Sequence, residues 1–127
     1  MDALTSSSIS RVVGDDDLAS VLGDYPPVLA TSRMIAWMEI AAAQCIAPLL
    51  EDGELSVGVI VDVRHTAATP KDALVWVHAR YLGIEGRLHM FEVWGEDPGG
   101  EFGRGRHGRA IITLERLMAG AARRGGT

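Results

Sequence analysis

The sequence contains a single cysteine, Cys45, so no disulfide can form within one chain. It contains no asparagine, which excludes N-glycosylation. Its 17 acidic residues outnumber the 12 basic ones, and the formal net charge of -5 disfavours a nucleic acid as partner. These absences are typical of a protein that lives in a reducing compartment or does not need disulfide bridges.

A long hydrophobic run is also missing. The most apolar stretch, residues 34–50, is interrupted by Glu39, Gln44 and Pro48. A membrane-spanning helix needs about 20 mostly apolar residues, so this stretch predicts a buried helix and no membrane partner. The first ten residues are polar and lack a basic segment followed by an apolar one, so we expect no secretory signal and a cytoplasmic location.

The chain has 127 residues, of which 47% are hydrophobic. That length fits one domain with one core, and the apolar fraction excludes a disordered chain. We therefore predict a single domain over residues 1–120. The small and basic residues 121–127 predict a disordered tail.

The pattern along the chain predicts an α+β fold. A strand within residues 3–13 precedes Asp15, Asp16 and Asp17, which favour capping of a short helix over residues 18–22 rather than a metal site. A long helix is expected from Thr31 or Ser32, both good caps, to about Leu50. Apolar residues surround it almost completely, which is typical of a helix enclosed by protein. Four strands are then predicted, at residues 54–67, 73–83, 87–94 and 108–117. Successive strands joined by turns favour an antiparallel sheet wrapped on the helix.

Glu39 is the first candidate for chemistry, because it is the only charged residue between Arg33 and Leu50. Its neighbours one helical turn away are Ile35 and Ala43. A carboxylate among such neighbours is desolvated, which primes it for proton transfer or nucleophilic attack. The alternative is a glutamate on a narrow wet stripe of the helix.

His65 is the second candidate. It shares strand parity with the apolar residues from Leu55 to Val63, so alternation directs it inward, while Ser56, Asp62 and Arg64 face away. A β-bulge would invert this assignment. A core histidine satisfied by a backbone carbonyl is the simpler interpretation. The hypothesis is that Glu39 and His65 converge on one interior as an acid–base pair.

A basic cluster, Arg104, Arg106, His107 and Arg109, follows the glycine-rich run at Gly103. The run fits G-x-G-x-x-G formally, but a β-branched segment follows it instead of a helix, which excludes a dinucleotide motif. The cluster is either a clamp for phosphates or a solvated edge strand whose charges block edge pairing. His78, His89 and Cys45 are weaker candidates: the histidines are expected at the surface and the cysteine in the core.

Several of these residues together resemble the fluoroacetyl-CoA thioesterase family of hotdog-fold proteins. The resemblance runs from about Val12 to Leu117 and rests on Val28-Leu29-Ala30-Thr31, Met38-Glu39, Gly58, His65-Thr66-Ala67-Ala68-Thr69-Pro70 and His107-Gly108-Arg109. It implies a hotdog fold, in which an antiparallel sheet wraps a long central helix. It also implies a homodimer with active sites at the subunit interface and acyl-CoA as the substrate.

The resemblance also implies roles for single residues. Thr31 corresponds to the family's catalytic threonine, Glu39 to its carboxylate and His65 to its histidine. Gly58 corresponds to the glycine whose backbone N–H helps to hold the thioester carbonyl, and Arg109 to the arginine near the site. Glu39 would attack the carbonyl or activate water, and His65 would move a proton, with no metal or other cofactor.

The sequence departs from the family at three positions. Leu22 and Tyr25 stand where the family has phenylalanines over the acyl pocket, and Gly108 replaces an acidic residue. These departures predict a different pocket and leave the acyl group open. Two alternatives to hydrolysis are a hotdog dehydratase or hydratase of 3-hydroxyacyl thioesters and a non-catalytic protein that binds acyl thioesters.

Overall fold

The structure is a computed structural model and describes residues 2–126. It contains five strands and two helices in the order β1, α1, β2, β3, β4, β5, α2. Their bounds are Ser6–Val12 for β1, Thr31–Ile46 for α1, Glu54–His65 for β2, Leu74–Glu85 for β3, Leu88–Asp97 for β4, Gly100–Thr113 for β5 and Leu114–Arg124 for α2.

The five strands form one antiparallel sheet in the order β1-β3-β4-β5-β2. Helix α1 packs across one face of the sheet and fills the core. The core side chains are Ile9, Val13, Leu18, Leu29, Met34, Trp37, Met38, Ala41, Ala42, Cys45, Ile46, Val75, Val77, Ala79, Phe91, Val93 and Phe102. This arrangement confirms the prediction of an α+β fold with a sheet wrapped on one long helix.

Helix α1 begins where the sequence predicts, but not with the expected cap. The N-cap is Ala30, and no side chain caps this end of the helix. Thr31 is already the first helical residue, so its hydroxyl is left free for another contact. The helix ends at Ile46 and continues as one 3₁₀ turn over Ala47–Leu49.

One face of α1 is not covered by the rest of the chain. Ile40 and Ala47 are exposed, and Ala36 and Ala43 are only half-buried, although all four are small or apolar. The expectation that protein encloses this helix on all sides is therefore not met within a single chain.

Strand β2 lies at an edge of the sheet and contains a β-bulge. Gly58 pairs with Arg109 and Ile60 pairs with Gly108, which leaves Val59 as the extra residue. A one-residue shift exchanges the two faces of a strand. Ser56 and Gly58 therefore lie on the same face as Val61 and His65. The prediction that Ser56 faces away from His65 was wrong for this reason.

Strand β5 begins eight residues before the predicted start, at Gly100, and ends at Thr113. The residues predicted to continue the strand to Leu117 instead begin α2. Thr113 is the N-cap of this helix, and its hydroxyl accepts a hydrogen bond from the backbone N–H of Arg116 at 3.2 Å. Helix α2 runs through Arg124, into the segment expected to be a disordered tail, and Thr127 lies outside the described residues.

The segment before α1 forms two 3₁₀ turns, Asp15–Asp17 and Ala19–Val21, in place of the predicted short helix. The carboxylate of Asp17 accepts a hydrogen bond from the backbone N–H of Gly14 at 2.9 Å and lies 3.0 Å from Nε of Arg33. This ion pair fastens the turns to the first turn of α1. Within residues 2–126, no helix has both the length and the hydropathy to cross a membrane.

Candidate active site

Thr31 and His65 are in direct contact. The hydroxyl of Thr31, at the first position of α1, lies 2.8 Å from Nδ1 of His65, the last residue of β2. The pair forms because Ala30 serves as the N-cap, which leaves the Thr31 side chain pointing toward the strand. A hydroxyl hydrogen-bonded to an imidazole is an arrangement suited to nucleophile activation or proton transfer.

The second nitrogen of His65, Nε2, is buried and has no hydrogen-bond partner within residues 2–126. The ring packs edge-on to Phe102, with 6.2 Å between ring centroids. Burial lowers the pKa of His65, with a smaller opposing effect from the backbone of Ala67. His65 is therefore a neutral base at neutral pH, and its Nδ1 is hydrogen-bonded to the Thr31 hydroxyl.

Two clefts open beside Thr31. One, of about 380 Å³, is lined by residues that include Tyr25, Thr31, His65 and the following residues 66–68. The other, of about 330 Å³, is lined by Leu22, Tyr25 and Thr31. Leu22 and Tyr25 are 65% and 64% exposed, respectively. The structure therefore brings four of the predicted residues together: Leu22, Tyr25, Thr31 and His65.

The other three predicted residues form a second group. Nη1 of Arg109 lies 3.2 Å from Oε2 of Glu39, and the Glu39 side chain remains 40% exposed. A Cβ added to Gly58 would lie 2.7 Å from the same Oε2. Glu39 is thus neither fully buried nor on an open, solvent-exposed stripe of the helix. Its carboxylate contacts the β2 backbone and the arginine.

Arg109 is fixed by several contacts in addition to Glu39. It is 6% exposed. Its Nε donates to the Ser56 hydroxyl at 2.9 Å and its Nη2 donates to the Ser56 carbonyl at 2.8 Å. Its Nη1 also lies 3.0 Å from Nε2 of His107. Ser56 is a neighbour of the site that sequence reasoning placed on the opposite face, and His107 was considered only as part of the basic cluster and of the family motif. The glycine at position 58, inside a strand, is the signal that could have indicated the bulge that turns Ser56 inward.

The basic cluster is divided by the alternation of β5, which is an interior strand rather than an edge. His107 and Arg109 face α1. Arg104 and Arg106 face the other way, where Arg104 pairs with Glu92 at 2.8 Å and with Glu101, and Arg106 pairs with Glu85. The outer arginines are therefore neutralised by carboxylates and do not form a phosphate clamp. The glycine-rich run lies inside β5, and the strand continues from Gly108 to Thr113 instead of leading directly into a helix.

The two groups lie apart in one chain. Thr31 and Glu39 are eight residues apart on α1, which corresponds to about 12 Å along the axis. His65 and Gly58 lie near opposite ends of the site-facing part of β2, roughly 20 Å apart at the strand rise. Glu39 and His65 therefore share one face of the sheet but do not form a pair within one chain, contrary to the hypothesis.

The weaker candidates occupy structural positions. His78 lies on the outer face but is only partly exposed, with Nδ1 2.6 Å from the Ser8 hydroxyl. His89 is half-buried rather than at the surface, with Nδ1 2.8 Å from the Tyr81 hydroxyl, and burial lowers the pKa of His89. Cys45 is buried in the core, and burial raises the pKa of its thiol. Among residues 2–126 no three His, Cys, Asp or Glu side chains are grouped so that they could hold a metal ion.

Comparison with known proteins identifies relatives over most of the chain. The model of the fluoroacetyl-CoA-specific thioesterase family matches residues 13–115. A fluoroacetyl-CoA thioesterase from Streptantibioticus cattleyicolor is 43% identical over 96 residues, which make up 76% of this chain and 69% of the relative.

Solved structures agree with the sequence matches. The fluoroacetyl-CoA thioesterase FlK superposes with a TM-score of 0.89 at 35% identity, over 97% of this chain and 96% of FlK. A thioesterase superfamily member from Thermus thermophilus superposes with a TM-score of 0.85 at 29% identity, over 97% of this chain and 91% of that protein.

Proposed function

Because the chain belongs to the family of fluoroacetyl-CoA-specific thioesterases, we propose that two copies of it build each active site together. The chain has the hotdog fold and is a thioester hydrolase that acts on short-chain acyl-CoA. The proposal concerns how its residues perform this reaction. The observation that carries it is the separation of Thr31 and His65 from Glu39, Gly58 and Arg109 within one chain.

The edge of β2 supports a dimer. Residues 58–62 of this strand are all exposed, and Val59, Ile60 and Val61 are 56%, 40% and 46% exposed. An apolar edge strand with unpaired backbone groups is a site for pairing with another chain. The uncovered face of α1 is a second apolar surface of the chain, and a second copy would bury both.

Symmetry then determines which residues meet. In an antiparallel pairing of two β2 strands about a two-fold axis near Ile60 and Val61, each strand runs opposite to its copy. His65 of one copy comes to lie across from residues 56–58 of the other. Since Glu39 rests against Gly58, the Thr31–His65 pair of one copy faces the Glu39–Arg109 pair of the other. Each dimer would contain two such composite sites.

The chemistry follows from this arrangement. The acyl group occupies the clefts beside Tyr25 and Leu22, with its thioester carbonyl toward Gly58 of the other copy. Glu39 provides the oxygen nucleophile, either directly or by deprotonating a water molecule, while backbone N–H groups near Gly58 stabilise the developing oxyanion. The C–S bond breaks and the thiolate of CoA leaves. The neutral His65, hydrogen-bonded to Thr31, accepts a proton from the water molecule that attacks the thioester, or that hydrolyses the acyl–Glu39 anhydride after direct attack, and passes this proton to the thiolate. The residues themselves suffice, without a metal or other cofactor.

Release of free thiol from acyl-CoA tests the function. We expect thiol release from short acyl-CoA substrates, and Glu39→Gln and His65→Ala should each lower kcat by orders of magnitude without loss of the folded state. A screen of acetyl-, fluoroacetyl- and longer acyl-CoA would define which acyl group the enzyme prefers. Tyr25 and Leu22 line the clefts that would select it. A change in enoyl absorbance without free thiol would instead indicate hydratase chemistry, and saturable binding without thiol release would indicate a binding protein.

Mixing subunits tests the composite site. A mixture of Glu39→Gln and His65→Ala chains, exchanged at equal concentration, should recover about a quarter of wild-type activity, because half of the dimers are mixed and each has one intact site. Each variant alone stays inactive. A mixture that remains inactive after verified subunit exchange would show that the site lies within one chain. We further propose that the active species is a cytoplasmic homodimer.

A further inference from the structure

His107 is the buried ionisable residue nearest to the Glu39–Arg109 pair, and the reaction described above gives it no role. Its side chain is 1% exposed. Nδ1 lies 2.7 Å from the backbone carbonyl of Ile60, and Nε2 lies 3.0 Å from Nη1 of Arg109. A Cβ atom added to Gly58 would lie 3.2 Å from Cε1 of His107. The ring is therefore confined between the β2 bulge and the arginine.

These two contacts determine the tautomer of His107. A carbonyl oxygen can only accept a hydrogen bond, so Nδ1 must carry the proton that is donated to Ile60. A guanidinium can only donate, so Nε2 must be without a proton and accept from Arg109. Only the neutral ring protonated at Nδ1 satisfies both contacts.

The bulge makes this tautomer possible. The insertion of Val59 interrupts the regular β2–β5 ladder between Gly58 and Ile60. The Ile60 carbonyl then accepts a hydrogen bond from the imidazole. The backbone irregularity thus sets the protonation state of a side chain on the neighbouring strand.

The contact with His107 also sets the direction of the arginine. Nη1 of Arg109 carries two hydrogens that lie in the plane of the guanidinium. It contacts Nε2 of His107 and Oε2 of Glu39, while Nε and Nη2 are both fixed on Ser56. With one Nη1 hydrogen on His107, the other is aimed at the Glu39 carboxylate.

We propose that His107 is a positioning residue for thioester hydrolysis, which holds Arg109 so that its guanidinium orients the Glu39 carboxylate. This inference rests on the proposed role of Glu39. His107 does not touch the substrate and acts through Arg109 alone. Loss of its acceptor nitrogen removes one of the contacts that hold the guanidinium in place. The whole group can then tilt about its Ser56 contacts or donate to a different partner, and the carboxylate loses its fixed orientation.

The electrostatic environment agrees with the geometry. Burial is the largest effect and lowers the pKa of His107. The hydrogen bond to Ile60 and the charge of Glu39 oppose this effect, the charge of Arg109 adds to it, and the net shift is downward. The ring is accordingly neutral at neutral pH, which is the form that can accept from Arg109.

Two amide substitutions separate the two contacts of the ring. His107→Asn places an amide near the position of Nδ1 and retains a donor to Ile60, but it has no acceptor for Arg109. His107→Gln places an amide oxygen near the position of Nε2 and retains the acceptor, but it loses the donor to Ile60. We expect His107→Asn to lower kcat roughly 10- to 100-fold, as small misplacements of catalytic groups do, with KM nearly unchanged. His107→Gln should keep kcat within a few-fold of wild type and have the lower Tm.

A purely structural role predicts the opposite order, in which the Asn variant is at least as active as the Gln variant, and that result would overturn the proposal.

Nitrogen-resolved NMR of the histidines in the unmodified protein gives a second test that does not depend on folding of the variants. A neutral Nδ1-protonated His107 is expected, and an Nε2-protonated or doubly protonated ring would contradict the inference. Glu39→Gln serves as the reference: if that variant is fully active, the proposed function fails, whereas an inactive Glu39→Gln with a fully active His107→Asn refutes only the role of His107.

Discussion

A Cβ atom on Gly58 would lie 2.7 Å from Oε2 of Glu39, closer than real Cβ atoms approach an oxygen. Gly58 has no unusual backbone conformation that would require a glycine. The glycine is therefore required by its contact with Glu39. The carboxylate can lie against the β2 backbone only because residue 58 has no side chain.

Gly58→Ala should consequently disable the enzyme without unfolding it. The added methyl group must push the Glu39 carboxylate away from its contact with Arg109, and we expect kcat to fall roughly 100-fold, as a displacement near 1 Å can produce. Thiol-release kinetics and thermal unfolding measure the two effects. Gly120→Ala in α2 is the matched control, because its nearest atom is 3.7 Å away, and it should be fully active. Wild-type kcat in Gly58→Ala would argue against a fixed position for Glu39.

Thr31→Val distinguishes a catalytic hydroxyl from a helix cap. The N-cap of α1 is Ala30, so removal of the Thr31 hydroxyl should change the free energy of unfolding by less than about 0.5 kcal/mol, below the usual effect of losing a cap. The contact with His65 is lost, and kcat should fall roughly 100-fold, in the range typical of acid–base catalysis. Thr31→Ser retains the hydroxyl and should retain most of the rate. If Thr31→Val were destabilised by a kilocalorie or more at near-normal kcat, the hydroxyl would be structural.

Val61→Asp tests whether activity requires the β2 edge. A charge in the middle of the exposed stretch should prevent pairing of two copies. The variant is expected to sediment with the 13.6 kDa mass of one chain and to lose thiol release. Val12→Asp is the control, because Val12 is also exposed, at 59% against 46% for Val61, but lies on β1 at the opposite edge. It should remain a dimer and remain active. A fully active monomer would exclude a site shared between copies.

The pH dependence of the rate should report His65. Burial lowers its pKa below the ordinary value of 6.5, and the neutral ring is the form that accepts a proton. Activity is therefore complete above pH 6.5 and is lost as the pH falls through the lowered pKa, so the acid limb of kcat/KM lies below pH 6.5. The residual rate of His65→Ala should lack this limb, while His78→Ala, on the outer face, should retain it. An acid limb at or above pH 6.5 would contradict the burial of His65.

The sequence predicts much of the fold because its patterns are local. The composition of α1 and the turn residues between the strands indicate one long helix and an antiparallel sheet, and the structure contains both. Thr113 illustrates a local signal that was overlooked. It is followed by Leu114, Glu115 and Arg116, a start that suits a capped helix, but the β-branched residues before it favoured a longer strand.

The site is harder to predict from the sequence. It depends on which face of a strand each side chain occupies and on contacts between residues that are far apart in the chain. The inward direction of His65 is predicted from the alternation of Leu55, Val57, Val59, Val61 and Val63. The bulge places Leu55 and Val57 on the opposite face, so the alternation is valid only for the part of the strand after Val59. The contact between Thr31 and His65 joins residues 34 positions apart. The resemblance to a known family identified Thr31, whereas residue patterns alone assigned it only a capping role.

The bulge at Val59 also changes how relatives of this chain should be compared. Alignments usually treat a one-residue gap in a strand as a minor difference in length. If the strand after this point keeps its register, loss of Val59 would turn Leu55 and Val57 toward the helix and turn Ser56 and Gly58 away from it. A relative with every site residue but one residue fewer here would lack the arrangement altogether. The length of β2 is therefore a requirement for shared activity in addition to the identities of Gly58 and His65.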